Sequence, residues 1–314
     1  MHRQDTSVTN WNVDEIVAQL RVSRDVTHNI RQQGRIHPLP SRKALLGIVE
    51  NLRAAMFPRH YGAVDLHEVN TDQFVGDTLA QALPLLQEQI RRGLLFVSNE
   101  GALDEAALRD RAESLTREFA GRLPTIRGVL VTDLQAAYRG DPAAMSTSEI
   151  LLCYPGMAAI IYYRLAHALH RLGIPLIARL ISDIAHSSTG IDIHPAAEID
   201  SHFFIDHGTG VVIGETSIIG THVRLYQAVT LGAKRFSEGE QGVLIKGEPR
   251  HPIVEDDVVI YAGATILGRV TIGKGSVIGG NVWLTQSVPA HSHVVQAQMR
   301  TSAVIQPKPI DTEI

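Results

Sequence analysis

The chain has 314 residues, 44% of them hydrophobic and 20% charged, with a formal net charge of −4. That length accommodates two domains. The mild negative charge excludes the basic signature of a nucleic-acid binder or of a protein held on an anionic membrane. A single cysteine, Cys153, rules out a disulfide framework and points to a reducing compartment. The opening MHRQDTSVTNW has no apolar core of a secretory signal. The most apolar uncharged run, 150–163, contains Pro155 and is too short to cross a bilayer. A soluble cytoplasmic protein is expected.

Residues 1–12 are expected to be flexible. Apolar spacing predicts a helix over 13–33 capped by Asn12, then a break at HPLP (37–40). Ser41 caps a predicted helix through 56, stopped by Pro58. A helix is expected over 72–96, interrupted or kinked at Pro84. The next, 103–123, carries Glu105, Arg109, Glu113 and Arg117 at four-residue steps and is expected to end at Pro124. Residues 126–138 form a further helix, and Ser146 caps a turn after the polar junction 139–145. Helices over 156–172 and 175–186 complete an α-helical region spanning 1–187, whose expected role is scaffolding or oligomerisation. Arg164 and His167 interrupt apolar helical faces, which predicts satisfied hydrogen bonds in the core. Cys153, in EILLCYP, reads as a small buried hydrophobe.

From Ile193 the period changes. An aliphatic residue returns every sixth position at Ile199, Ile205, Val211, Ser217, Val223 and Val229. The series resumes at Val254, Ile260, Ile266, Ile272, Ile278 and Leu284. Only Ser217 breaks the aliphatic rule. A short residue usually follows four places later, as at Ala197, Ala264 and Ser276. Six is neither a helical nor a simple strand period; it is the hexapeptide period of a parallel β-helix. Three units close a triangular coil of about eighteen residues, so the slots must stack on those of neighbouring coils. Ile193 is thus expected on Val211, Val211 on Val229, and Val254 on Ile272. The domain is expected over 188–290, interrupted by an extruded loop at 233–252, with a tail over 291–314. The fold class is therefore α+β: a helical N-terminal domain followed by a β-helix.

Three clusters exceed what a repeat wall requires: Asp192-Ile193-His194-Pro195, then Asp206-His207-Gly208-Thr209-Gly210 with Glu215, and Arg250-His251-Pro252. His207 is the best candidate base, because an imidazole accepts a proton near neutral pH. Asp192, fifteen residues earlier and almost one coil away, is placed to fix its tautomer. His194 suits a corner because Pro195 follows it. His202 and His222 read as turn residues. Arg250 and His251 close the loop, and loops on rigid repeat scaffolds commonly cover sites.

Taken together, GDPAA, YYRLAHAL, DIHPAAEI, IDHGTGVVIGET, LYQAVTLGA, RHP and IYAGATILGRVTIG resemble the serine O-acetyltransferases of the left-handed β-helix acyltransferase superfamily. The resemblance covers roughly 140–289, about half the chain. It implies the left hand of the β-helix and transfer of acetyl from acetyl-CoA to the L-serine hydroxyl, the first step of cysteine biosynthesis. It also implies a homotrimer or dimer of trimers, with acetyl-CoA lying along a prism edge between subunits and no metal. His207 is then the base and Asp192 its orienting acid. Asp141 and Asp206 hold the serine ammonium. Arg250 holds the carboxylate, with His251 facing the site from a neighbouring subunit and Glu215 lining it. Gly232, Ala233 and Ala262 contact the coenzyme. Ala233 and Tyr261 replace glycines usual in the family. Independently, a zwitterion is well held by acids at one end and a guanidinium at the other, and the absence of a nearby cysteine argues against an acyl-enzyme. The resemblance further implies that terminal Ile314 docks into O-acetylserine sulfhydrylase.

Three other readings compete. The first is a hexapeptide acetyltransferase acting on another hydroxyl acceptor. The second is a zinc hydratase on the same scaffold, suggested by the His202/His207 H-x4-H spacing. The third is a non-catalytic scaffold.

Overall fold

The computed structural model describes residues 11–27, 38–62, 68–97, 104–235 and 245–296. Residues 1–10 and the terminal Ile314, with the docking role expected for it, lie outside these. The helical part begins with α1 (Val13–Val22), which continues as a π-helical turn over Ser23–Thr27. Asn12 stands at its N-cap, but its amide donates to Glu15 and does not cap the backbone. The helix α2 (Arg42–Met56) is capped as expected, with the Ser41 hydroxyl accepting from the Ala44 N–H at 3.2 Å. After it come α3 (Pro58–Tyr61), α4 (Glu68–Val97), α5 (Glu105–Gly140), α6 (Thr147–Cys153), α7 (Pro155–Arg171) and α8 (Pro175–Thr189).

The expected stop at Pro124 does not occur; α5 runs through it. A proline costs a helix one N–H and a clash one turn back. Here Phe119, Leu123, Ile126, Leu130, Leu134 and Ala137 form an unbroken buried stripe at three- and four-residue steps on both sides of Pro124. Packing of that stripe outweighs the local preference. Pro84 is likewise interior to α4. Cys153 is exposed at the end of α6, since Ile150 and Leu151 take the buried side of this short helix. By contrast α7 is buried almost all round, as a helix enclosed by other elements must be.

Among the described residues fourteen short strands follow: β1 (Asp192–Ile193), β2 (Glu198–Ile199), β3 (Phe204–Ile205), β4 (Val212–Ile213), β5 (Ile218–Ile219), β6 (Arg224–Leu225), β7 (Thr230–Gly232), β8 (Ile253–Val254), β9 (Val259–Ile260), β10 (Thr265–Leu267), β11 (Thr271–Ile272), β12 (Val277–Ile278), β13 (Trp283–Leu284) and β14 (His293–Val294). All pairings are parallel. They form three walls, ordered β1-β4-β7-β10-β13, β2-β5-β8-β11 and β3-β6-β9-β12-β14. The result is the three-sided β-helix that the hexapeptide period predicts. Pairing of β14 with β12 carries the ladder past Pro289, so the third wall ends within the stretch expected to be tail.

The stacking register departs from the expected one in the first coil. Ile193 stacks on Ile213, not Val211, and Ile199 on Ile219. Two extra residues therefore lie in the corner between β3 and β4, where Asp206-His207-Gly208-Thr209-Gly210 stands. Above it the spacing is eighteen, with Ile213 on Leu231 and Val254 on Ile272. Val211, Ser217, Val223 and Val229 are buried too, but in the short-residue column two places earlier. That is why Ser217 alone broke the aliphatic rule. Between Leu225 and Ile260 the step is thirty-five residues, the excess being the loop between β7 and β8. Inward residues such as Leu231, Ile260 and Ile266 are wholly buried, each stabilising the stack by about 1.5–3 kcal/mol.

The helices close the first coil. Its outward N–H groups donate to the second coil, as from Asp192 to Val211 and from Glu198 to Ser217. The matching carbonyls have no coil beneath them. Ile193 O accepts from Ser182, Ala197 O from Tyr163 at 2.6 Å, and Ile199 O and Asp200 O from Arg164. Arg164 is itself held by Asp133 through two bonds of 3.1 Å, and Asp133 accepts from the Phe203 N–H. His167 Nδ1 contacts Pro195 O at 2.9 Å. The core hydrogen bonds expected for Arg164 and His167 are these. Removing one member of a buried pair strands the other charge, so Asp133→Ala should lower unfolding stability by about 3–5 kcal/mol. Urea denaturation monitored by circular dichroism measures this, and an unchanged midpoint contradicts the capping role.

Candidate active site

The corner between β3 and β4 shows how the chain displays a side chain from a smooth prism. Register aligns Asp206 with Tyr226 and Gly210 with Ala228, so 207–209 occupy the space that Gln227 fills one coil up. His207 and Gly208 both take left-handed backbone, with φ of 58° and 87°. A Cβ on Gly208 would lie 2.4 Å from Ile191 Cδ1, so only glycine fits there. The bulge pushes His207 outward, leaving its side chain 69% exposed, while Asp206 beside it is 13% exposed. His207 Nδ1 stands 3.6 Å from Asp206 Oδ1, close enough for electrostatic contact but long for a hydrogen bond.

Asp192 lies on β1, one coil below this corner, and its N–H bonds Val211 O at the corner's end. Among the described residues no hydrogen bond or ion pair joins its carboxylate to His207. The nearest acid to the ring is thus Asp206, whereas the sequence points to Asp192 as the orienting acid.

Asp141 caps the C-terminus of α5 and joins the same corner, where its charge acts on His207 and Arg224. Its carboxylate accepts from the Tyr154 hydroxyl at 2.6 Å and the Ala143 N–H at 2.8 Å. Those bonds, Tyr154 first, hold the Asp141 carboxyl below the ordinary carboxylate range. The same hydrogen bond pushes the Tyr154 phenol up to about 12. Tyr154 was not singled out from sequence; its only signal was its place beside the helix-starting Pro155.

Glu215, Arg250 and His251 gather at the other edge of the first wall, after β4 rather than before it. Arg250 Nη2 bonds Glu215 Oε2 at 2.5 Å. Burial raises the Glu215 carboxyl, but Arg250 and His194 outweigh it and the net shift is downward. The His251 ring lies over Gly214, where a Cβ would meet Nε2 at 2.2 Å. His194 sits at this edge too, its Nδ1 accepting from the Ala196 N–H at 3.0 Å, which is the corner role expected of it. Its ring is edge-on to His170 at 6.4 Å. Thr216 and Arg269, absent from the sequence reading as individual residues, bind this segment's backbone.

Within one chain, therefore, Asp141, Asp206 and His207 are brought together, as are Glu215, Arg250 and His251, but the two groups flank β4 on opposite edges. Gly232 and Ala233 lie on the edge of Arg250. Next to them is a pocket of about 280 Å³ whose lining includes Lys234, Arg235, Arg250 and Arg269 beside Glu248. Ala262 lies on the His207 edge, two coils up, beside stacked Tyr226 and Tyr261 whose centroids are 5.0 Å apart. His202 stacks on His222 at 4.2 Å, at the corner before β3. One six-residue unit spans one wall, so the H-x4-H spacing places His202 and His207 at different corners of the chain.

Burial first, then Arg179, pushes His194 down to about 4. Burial first, then Arg250, does the same for His251. In the unfolded chain both titrate near pH 6.5, so between about 6.5 and 4 the unfolded state binds more protons and stability is lost as pH falls. Urea midpoints should decline progressively from pH 7 to 4.5, and His251→Gln should flatten part of that decline. A pH-independent midpoint contradicts the buried neutral rings.

Residues 251–286 match the bacterial transferase hexapeptide (six repeats) family. The chain is 55% identical over 296 residues to a plasmid serine acetyltransferase of Synechococcus elongatus, covering 93% of each. It is 44% identical over 167 residues to the serine acetyltransferase of Bacillus subtilis, covering 53% of this chain and 73% of the relative. Serine acetyltransferase 1 of Entamoeba histolytica, solved in complex with L-cysteine, superposes with a TM-score of 0.70 at 36% identity, over 85% of this chain and 90% of that one. The displayed imidazole, the acids around it and a relative matched over nearly its whole length agree: this chain belongs to the serine acetyltransferase family.

Proposed function

We propose that the protein transfers the acetyl group of acetyl-CoA to the hydroxyl of L-serine, directly and without an acyl-enzyme. The observation that carries this reading is the bulged corner that holds His207 beside Asp206 and Asp141. His207 takes the hydroxyl proton while the serine oxygen attacks the thioester carbonyl carbon. Collapse of the tetrahedral species breaks the carbon–sulfur bond, and the coenzyme leaves as thiolate, which regains the proton from the imidazolium. The products are O-acetylserine and free coenzyme. Asp206 and Asp141 offer negative charge to the serine ammonium. Asp192, on the strand beneath the bulge, is the proposed orienting acid, engaging the ring once substrate sets its rotamer.

Arg250, with His251 and Glu215, receives the serine carboxylate. Because these residues flank β4 on the edge away from His207, a complete site requires two chains, the His207 edge of one facing the Arg250 edge of the next. Three-sided prisms meet this condition in a trimer, alone or doubled. Acetyl-CoA then runs along that boundary, past Gly232 and Ala233 of one chain and Ala262 of another, with its phosphates near Lys234, Arg235 and Arg269. The Entamoeba relative's complex with L-cysteine supports competition by cysteine for this serine site, and a product of this enzyme feeding cysteine synthesis makes such competition a feedback control.

Thiol release from acetyl-CoA should depend on L-serine and be weak with sugars or L-homoserine. His207→Ala should lower kcat about 10²–10⁴-fold. Asp192→Asn should lower kcat with little change in KM for serine, whereas Asp206→Asn should chiefly raise that KM. Full activity in His207→Ala rejects the base, and turnover independent of serine rejects the substrate.

A further inference from the structure

One side chain, Thr216, binds both backbone N–H groups of the Arg250–His251 segment. Its hydroxyl oxygen accepts from the Arg250 N–H at 2.9 Å and from the His251 N–H at 3.0 Å. Both lone pairs are then engaged, and the hydroxyl proton is directed at His251 Nδ1, 2.9 Å away. The Thr216 backbone N–H also donates to that nitrogen, at 3.0 Å. A backbone amide is an obligatory donor, so Nδ1 must carry a lone pair and the ring proton must sit on Nε2. Arg269 fastens the same unit from behind, its guanidinium donating to Thr216 O and His251 O. Beneath the ring Gly214 leaves room for the Nε2 edge, and Glu215 holds Arg250. Among the described residues nothing in the chain pairs with Nε2.

We propose that Thr216 is a positioning residue that fixes His251 as the neutral Nε2–H tautomer and sets Arg250 beside it. The three consecutive residues Gly214, Glu215 and Thr216 thus work as a clamp: space for the ring, an acid for the guanidinium, and a hydroxyl for the backbone and Nδ1. His251 is thereby a hydrogen-bond donor to an anionic oxygen and is prevented from acting as a second base. The oxygen is that of the serine carboxylate, an assignment that rests on the proposed acetyl transfer; the tautomer does not.

The test combines nitrogen NMR of the full-length protein labelled at histidine with steady-state kinetics. The His251 resonances are identified by their loss in His251→Gln. At pH 7 the ring should be neutral with its proton on Nε2. Thr216→Val, which removes the hydroxyl but keeps the backbone donor, should raise KM for L-serine by about three- to ten-fold with kcat little altered, the scale of one lost hydrogen bond. It should also shift the Nδ1 resonance. Thr216→Ser should restore wild-type KM and resonance. A wild-type ring protonated on Nδ1 overturns the proposal, as does a folded Thr216→Val protein with unchanged KM and ring signals, or a Thr216→Ser protein as impaired as the valine variant. If Thr216→Val does not fold, the wild-type ring signals and Thr216→Ser decide. Failure of the wild-type protein to acetylate L-serine counts against the proposed reaction, while the ring signals still judge the tautomer.

Discussion

A stack of parallel coils has to begin somewhere, and its first coil presents carbonyls with no strand below them. Buried carbonyls without donors are costly, and open strand edges invite pairing with other chains. Here α7 and α8 supply the donors, Tyr163, Arg164 and Ser182, and α5 supplies the acceptor Asp133 that holds Arg164. The helical region is therefore the floor of the prism, and it shares one continuous hydrophobic core with it. The floor also positions Asp141, because α5 ends against the coil at the corner where His207 stands.

On this fixed base the first coil tolerates an irregularity. Left-handed backbone is not special to His207, since His202, His222, Ala228, Asp257 and Asn281 adopt it at ordinary corners. What distinguishes the His207 corner is two extra residues and a glycine that lets them fold outward over Ile191. Regular coils above and the helical floor below absorb the disturbance, so the bulge is local and the register recovers in the next coil.

The two edges of the first wall differ electrostatically. At one, His207 is largely open to solvent beside Asp206. At the other, His251 and His194 are driven neutral by burial and neighbouring cations, and Arg250 bonds Glu215 through Nη2 alone. One edge suits proton transfer and the binding of a cation; the other suits donation to an anion. A zwitterionic hydroxy amino acid needs both, which is why the proposed site takes one edge from each of two chains.

Sequence by itself determined the β-helix, because a six-residue aliphatic period has no other compact solution, and it singled out the residue types proposed to carry the chemistry. It also marked the Ser41 and Ser146 caps, whose bonds are local. Tertiary structure decided the rest. The passage of α5 through Pro124 depends on a buried stripe packed by distant helices. The slip of two residues at Asp206–Gly210 was hidden because the short-residue column is also aliphatic, so Val211 imitated Ile213. The partition of the candidate residues onto two edges, and the contacts of Tyr154 and Thr216, join residues 13 and 35 positions apart, where a coiled chain meets itself and no linear period records the meeting.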